Sequence, residues 1–232
     1  MEKDRGTKII AIVALLVAIV GVSLGFASFS NNLTISAEAN VTPLNSLKVL
    51  FTSTKNATDY AGSNIVITKL PAEDVSEYTS FTAGTPTINN SVVTAPTITG
   101  LNADFVKPGE SVKYTFYAYN DSTYAAYLTS IAFGNKSCTP ADNSLVQSAC
   151  DEIDISVKVG GGDGEPTAVT RSQATDGTGT VSGHSLASKA FETIEVTITY
   201  ADLSEGAGNT DLNDGFHVDF SDIILTYSST AS

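Results

Sequence analysis

The chain has no tryptophan, one methionine, two cysteines and two histidines among its 232 residues. With so few thiols, thioethers and imidazoles, transition-metal centres and cysteine- or histidine-based nucleophilic catalysis lose most of the side chains they draw on. Basic residues are scarce as well: 12 Lys plus Arg stand against 25 Asp plus Glu, a formal net charge of -13. A surface of that sign repels nucleic-acid phosphates and anionic head groups, so no nucleic-acid partner is expected. Helical patterning is missing too, since beyond residue 30 no stretch repeats apolar residues at helical spacing over three turns. The 42% of hydrophobic residues nonetheless suffices for a sizeable core.

What is present begins with a leader. Lys3, Arg5 and Lys8 precede an uncharged apolar run from Ile9 to Ala27, the pattern of a basic n-region followed by an apolar h-region. Gly25 and Ala27 put small side chains just ahead of Ser28, so signal cleavage is expected between Ala27 and Ser28. The run also approaches the ~20 apolar residues that span a bilayer, which leaves a transmembrane helix acting as an uncleaved anchor as the second reading of residues 1–27. A pilin-like leader cut after Gly6 fits less well, because Lys8 would stand inside the mature helix and no Glu would occupy its fifth position. All three readings export residues 28–232, to an extracellular or cell-surface location, with membrane contact only through the N-terminal helix. Cys138 and Cys150 agree with export: they are the only pair and flank a short polar loop, so a local disulfide is expected.

The exported part alternates with period 2. Val112, Tyr114, Phe116 and Ala118 share one face, opposite Lys113, Thr115 and Tyr117. Ile153, Ile155, Val157 and Val159 repeat the pattern, as do Ile194, Val196, Ile198 and Tyr200. In the last strand Phe216, Val218 and Phe220 fall on one phase and Ile223, Leu225 and Tyr227 on the other, which predicts a bulge or bend at Ser221–Asp222. Weaker strand signals cover 33–41, 47–52, 65–70, 92–101 and 124–133. Together they predict an all-β chain: one β-sandwich or jelly roll of about nine strands after the N-terminal apolar helix, with no internal domain boundary.

Chemistry is harder to find. Gly183, His184, Ser185, Leu186 and Ala187 approach the nucleophile elbow of hydrolases, but that elbow needs a strand-to-helix turn, and here loop and strand flank it. The expected role is a polar loop with His184 in water, and no enzyme activity is expected. Asp202, Glu205, Asn209, Asp211, Asn213 and Asp214 crowd oxygen ligands of the kind that suit calcium into one loop, without the Gly and Glu spacing of an EF-hand. Calcium is therefore the one cofactor considered, against a solvated acidic turn. Sequons occur at Asn32, Asn40, Asn56, Asn89, Asn120 and Asn135.

The stretch from Leu101 to Ile131, with its Lys107-Pro108-Gly109-Glu110 turn, strand, Asn120-led turn and second strand, resembles the central motif of the TasA and camelysin family of secreted bacterial biofilm-matrix proteins. The leader running into Asn31, Asn32 and Leu33, and the closing strand Phe216 to Tyr227, are similar to that family too. The resemblance covers about half of the chain. It implies a jelly roll and a fibre built by donor-strand complementation, in which one subunit's N-terminal strand completes the next subunit's sheet. The residues allow this independently, since Leu33, Ile35, Ala37 and Ala39 alternate with Thr34, Ser36, Glu38 and Asn40; the same strand could instead pair within its own subunit. The expected partners are further copies of the chain or other surface proteins. The alternative is a membrane-tethered β-sandwich that binds a ligand or another cell. The protease activity attributed to camelysin is not carried over, because no residues here supply it.

Overall fold

The computed structural model describes residues 14–16, 46–71, 81–140, 150–160, 168–201 and 215–231. The chain divides into two compact units, Met1–Leu44 and Asn45–Ser232. In the first, Ala14, Leu15 and Leu16 are helical, and the rest of the apolar run lies outside the described residues. Among the described residues no helix is long and apolar enough to cross a membrane.

The second unit is all-β. In chain order its strands are β1 (Val49–Thr52), β2 (Val66–Leu70), β3 (Thr82–Ala83), β4 (Thr87–Asn89), β5 (Thr97–Phe105), β6 (Ser111–Asn120), β7 (Ala126–Phe133), β8 (Lys136–Pro140), β9 (Ile153–Val159), β10 (Val169–Ser172), β11 (Gly179–Thr180), β12 (Ser185–Leu186), β13 (Phe191–Tyr200) and β14 (Phe216–Ser228). A six-stranded antiparallel sheet runs β1-β6-β13-β9-β10, with β2 sharing β6 beside β1. An eight-stranded one runs β11-β7-β14-β5-β3, with β12 on β7, β4 on β5 and β8 on β14. The described residues therefore hold fourteen strands: eight answer to expected ones, the ninth expected strand, 33–41, lies outside the described residues, and six were not expected. The extra ones, β3, β4, β8, β10, β11 and β12, have two to five residues, too few for alternation to register. β5 also starts later than its sequence signal, at Thr97, because Val93 bonds across to β1 as part of a loop.

Alternation explains how the sheets bury one core. β6 turns Val112, Tyr114, Phe116 and Ala118 inward, β13 Ile194, Val196, Ile198 and Tyr200, and β9 Ile153, Ile155, Val157 and Val159. From the other sheet come Leu101, Ala103 and Phe105 of β5 and Val218, Phe220, Ile223, Leu225 and Tyr227 of β14. The layers meet directly: Phe105 and Tyr200 have ring centroids 6.1 Å apart, and the Tyr114 hydroxyl donates to the Asn102 carbonyl at 2.6 Å. Each such aromatic contributes roughly 1.5–3 kcal/mol by burial. Burial also pushes the Tyr114 phenol far above its ordinary value, so it remains a donor.

The expected phase slip in β14 is present, and its neighbours share it. β14 turns Val218 and Phe220 inward, then Ile223 and Leu225; β5 turns Leu101 and then Ile98 inward at the same level. Because both slip together, the register is the same on either side of the crease, from Phe216↔Phe105 to Phe220↔Leu101 and from Asp222↔Thr99 to Ile224↔Thr97. Gly100, with φ 73°, supplies the turn in β5, a conformation that glycine adopts without steric cost. On the far side of β14 the junction of β7 and β8 falls at Gly134 and Asn135, which bond to Asp222 and Ser221. A crease thus crosses three neighbouring strand lines of the eight-stranded sheet.

Candidate functional site

The two cysteines come together as expected. Cys138 in β8 and Cys150 just before β9 are joined, with Cα atoms 5.9 Å apart, so the bridge ties the eight-stranded sheet to the start of a strand in the six-stranded one. Lys136, two residues earlier in β8, reinforces the same junction. Its ammonium donates to the carbonyls of Cys150 at 2.6 Å and Ile153 at 2.7 Å. Burial lowers its pKa, with Asp151, Asp154 and Glu152 opposing.

His184 corrects a sequence expectation. It is not in water but 2% exposed, and its Nε2 lies 2.6 Å from Glu192 Oε2. The second Glu192 oxygen accepts the Tyr227 hydroxyl at 2.8 Å. Glu192 comes from the inward face of β13, Tyr227 from β14 and His184 from the turn leading into β12, so three side chains from both layers meet inside the core. Burial, reinforced by the neighbouring carboxylate, holds the Tyr227 phenol well above its ordinary value, so it too stays a donor. Both carboxylate oxygens are bonded and the group is sealed from solvent, which makes the trio a polar pin between the sheets. Ser185 belongs to β12 and pairs through its backbone with Tyr127, in strand and not at a strand-to-helix elbow.

The other histidine sits on the outer face of the eight-stranded sheet. His217 of β14 lies between two carboxylates, Asp104 of β5 at 2.5 Å from Nδ1 and Asp219 at 2.9 Å from Nε2. Thr82 of β3 donates to the other oxygen of Asp104. The Asp104 hydrogen bond, and then the Asp219 charge, raise His217 above its ordinary pKa. The Thr82 hydrogen bond, followed by His217, lowers Asp104. This is a clamp of charge across β3, β5 and β14 with both imidazole nitrogens engaged. Among the described residues no three His, Cys, Asp or Glu side chains are grouped to hold a metal ion.

Asn120, at the end of β6, is a sequon that the fold uses up. It is fully buried, its amide donates to the carbonyls of Tyr124, Leu186 and Ala187, and its oxygen accepts the Ser122 N–H. Asn56, Asn89 and Asn135 are exposed. Several expectations fall outside the described residues: cleavage between Ala27 and Ser28, the donor face of Leu33, Ile35, Ala37 and Ala39, the sequons at Asn32 and Asn40, and the calcium ligands Asp202, Glu205, Asn209, Asp211, Asn213 and Asp214. Sequence reading missed Glu192, Tyr227 and His217 as polar centres. The signal for Glu192 was there, since two residues before Ile194 it occupies the inward phase of β13. Set against known proteins, the chain matches no family model, no curated protein and no solved structure.

Proposed function

We propose that this chain is an exported structural or adhesive cell-surface protein, a biofilm-matrix fibre subunit of the TasA and camelysin kind. The single observation that carries this reading is the place of β1. It is a margin strand of the six-stranded sheet, and the alternating segment Leu33 to Val41 precedes it in the sequence, in keeping with a strand that is free to pair elsewhere. The long strands in succession, β5, β6 and β7, cross from one sheet to the other and back, as does the step from β13 to β14, in keeping with a jelly roll. The Cys138–Cys150 bridge accords with an oxidising, extracellular setting. The role is non-enzymatic, and its partners are copies of the same chain or other surface proteins.

In this reading residues 1–27 are removed by signal peptidase and the new N-terminal strand is the donor. The experiment is the N-terminal sequence and intact mass of protein recovered from its native cell surface or medium, followed by electron microscopy. A start at Ser28 together with fibres that vanish when Asn31–Asn40 is deleted supports the proposal. An intact Met1 on a monomer refutes it and favours the membrane-tethered binding module.

A further inference from the structure

The outer face of the six-stranded sheet gathers two kinds of side chain that are scarce elsewhere on the described surface. Nine basic residues lie from residue 46 onward, and five of them, Lys48, Lys55, Lys113, Lys158 and Lys189, stand on this face or in the turns that border it. Five aromatic residues with described side chains do not pack into the core, and four of these are here as well: Tyr60, Tyr117, Tyr119 and Phe191. Tyr60 belongs to the loop after β1, and Lys48 lies within electrostatic reach of both Tyr60 and Tyr119. The outer face of the eight-stranded sheet presents Asp104, His217 and Asp219 instead.

Register sets these side chains in rows across the strands. Lys48, Asp121 and Lys189 form the first, where the Asp121 carboxylate accepts from both ammonium groups, at 2.9 and 2.7 Å. Leu50, Tyr119 and Phe191 form the second, with the Tyr119 and Phe191 rings stacked at 4.6 Å. Tyr117 and Thr193 follow, and the Lys55 ammonium stands 5.5 Å from the Tyr117 ring centroid. Glu195 comes next beside Lys158, and then Lys113, whose ammonium bonds Glu195 at 3.3 Å. Lys55 and Lys158 are exposed, and no carboxylate among the described residues pairs with either. Five ammonium groups thus stand against Asp59, Asp121, Asp154 and Glu195, so the sign of this face is reversed on a chain of net charge -13. From Asp121 to Lys113 the strip follows β6 for about 27 Å.

We infer that this face binds an acidic polysaccharide, a chain of uronate sugars laid along β6 with its carboxylates at the lysines and its rings against the aromatic side chains. A sheet face is long and flat, which suits an extended polymer better than a small ligand. The C–H side of a sugar ring is apolar and slightly positive, so it settles on the negative face of an aromatic ring. Sugar hydroxyls would meet Thr115, Thr193 and Thr197, which share the outward phase. Lys55, over the Tyr117 ring and without an acid of its own, is placed to turn to a carboxylate beside that ring. Charge density separates this polymer from nucleic acid. Duplex DNA carries a phosphate charge every ~1.7 Å, which the chain as a whole repels, whereas a polyuronate spaces its carboxylates a full sugar apart. A second copy fits less well: its matching face has the same sign, and its opposite face brings Asp104 and Asp219 but only Tyr127 to meet four aromatic side chains. The inference needs the sandwich to be outside the cell and does not depend on strand exchange, since a monomer has the same face.

The test uses the chain as its own cell exports it, titrated by calorimetry at low ionic strength with polygalacturonate, with the methyl ester of that polymer and with single-stranded DNA. Polygalacturonate should bind, and bind less as salt rises, while the neutral ester should be about tenfold weaker or worse. Lys55→Gln combined with Lys158→Gln should weaken polygalacturonate about tenfold and Tyr117→Val about fivefold, at unchanged Tm, while Tyr117→Phe keeps the affinity. Asp219→Asn on the opposite face is the control and should leave binding as it is. No binding of polygalacturonate overturns the inference, and so does DNA bound equally well, which would mean attraction of charge alone. Full affinity in Tyr117→Val takes the sugar ring off the aromatic strip and overturns it too. If the lysine pair variant loses association between copies but keeps polygalacturonate, the face is a contact between subunits and the polysaccharide assignment falls. Binding by a chain that forms no fibres supports this inference while the fibre reading fails.

Discussion

Removing the Glu192 carboxylate asks how much of the sandwich depends on one polar group in its core. Glu192→Ala leaves His184 Nε2 and the Tyr227 hydroxyl, bonded to it at 2.6 and 2.8 Å, without that acceptor in the buried core. Breaking a buried pair from one side costs about 3–5 kcal/mol, because the stranded partners remain desolvated. Tyr227→Phe strips only one bond to the carboxylate and should cost about 1.5–3 kcal/mol. Replacing all three polar groups at once, with His184→Leu, Glu192→Leu and Tyr227→Phe, should recover most of the loss, since no member of the trio then faces a missing partner within it. Urea unfolding with the disulfide intact reads these values: the midpoint should fall at unchanged slope, and the losses from Glu192→Ala and Tyr227→Phe should not add. Against a total stability of about 5–15 kcal/mol, the loss from Glu192→Ala would be unmistakable. A change below about 0.5 kcal/mol for Glu192→Ala, or a triple variant less stable than Glu192→Ala alone, would refute the view of this trio as a satisfied pin.

Reducing the Cys138–Cys150 bridge, or replacing both residues by Ser, should cost about 3 kcal/mol, roughly 6–12 °C in Tm, from the loop entropy it removes; an unchanged Tm would show that Lys136 alone holds the junction. His217 has a folded pKa above its ordinary 6.5, so its contribution is full below that value and is lost as pH rises through the raised one. Asp104, lowered from 3.8, contributes above that value and loses its share as pH falls. The Tm gap between wild type and His217→Ala should therefore be widest at mildly acidic pH and close in alkali, and a gap independent of pH would count against the clamp. Gly134→Ala would put a Cβ 2.1 Å from both Ser221 Oγ and Asp222 Oδ1, and should destabilise by about 1–3 kcal/mol in the same urea assay, whereas a neutral result would mean the crease yields freely. Millimolar calcium should raise Tm if Asp202 to Asp214 forms a site, and a flat response retires that proposal.

The long strands were legible because each turns a full face inward. Four alternations in β6, β9 and β13 left no other assignment, and the two phases of β14 gave away its slip before any neighbour was known. The polar interior was written in the same phases, two residues beyond the last apolar position at either end. In β6 the inward series that holds Val112 to Ala118 reaches back to Glu110 and forward to Asn120, both buried, and in β13 the series from Ile194 reaches back to Glu192. Glu110 bonds the Val106 and Lys107 N–H groups, and Asn120 bonds the carbonyls of the opposite turn. A charged residue on an inward phase reads as a strand end when the sequence is read alone; only its partner, far away in the chain, shows that the phase continues. His184 was missed for the same reason, since its carboxylate comes from another strand. The short strands β1 and β2 were legible, but β3, β4, β8, β10, β11 and β12 were not. These exist because long neighbours offer them hydrogen bonds, and that information belongs to β5, β7, β9 and β14 rather than to their own residues.

These polar strand ends bear on how such a chain could assemble. Register in a sheet is weakly specified when both faces are alike, and strongly specified when a slip would bury charge or expose the core. Here a two-residue slip of β13 on β6 keeps every inward phase inward, so alternation alone does not forbid it. What forbids it is Glu192, which would leave His184 and Tyr227, together with Asn120, which would leave the carbonyls of Leu186 and Ala187 ahead of β13. The crease does the same for β5 and β14, because Gly100 and the Ser221–Asp222 step fit only when they are level. Internal strands pinned in this way are poor candidates for exchange between copies, since release would break the polar pins as well as the ladder. A short margin strand such as β2, joined to β6 by five residue pairs, carries no such lock among the described residues, so the polar pins concentrate the resistance to slipping and exchange in the long central strands.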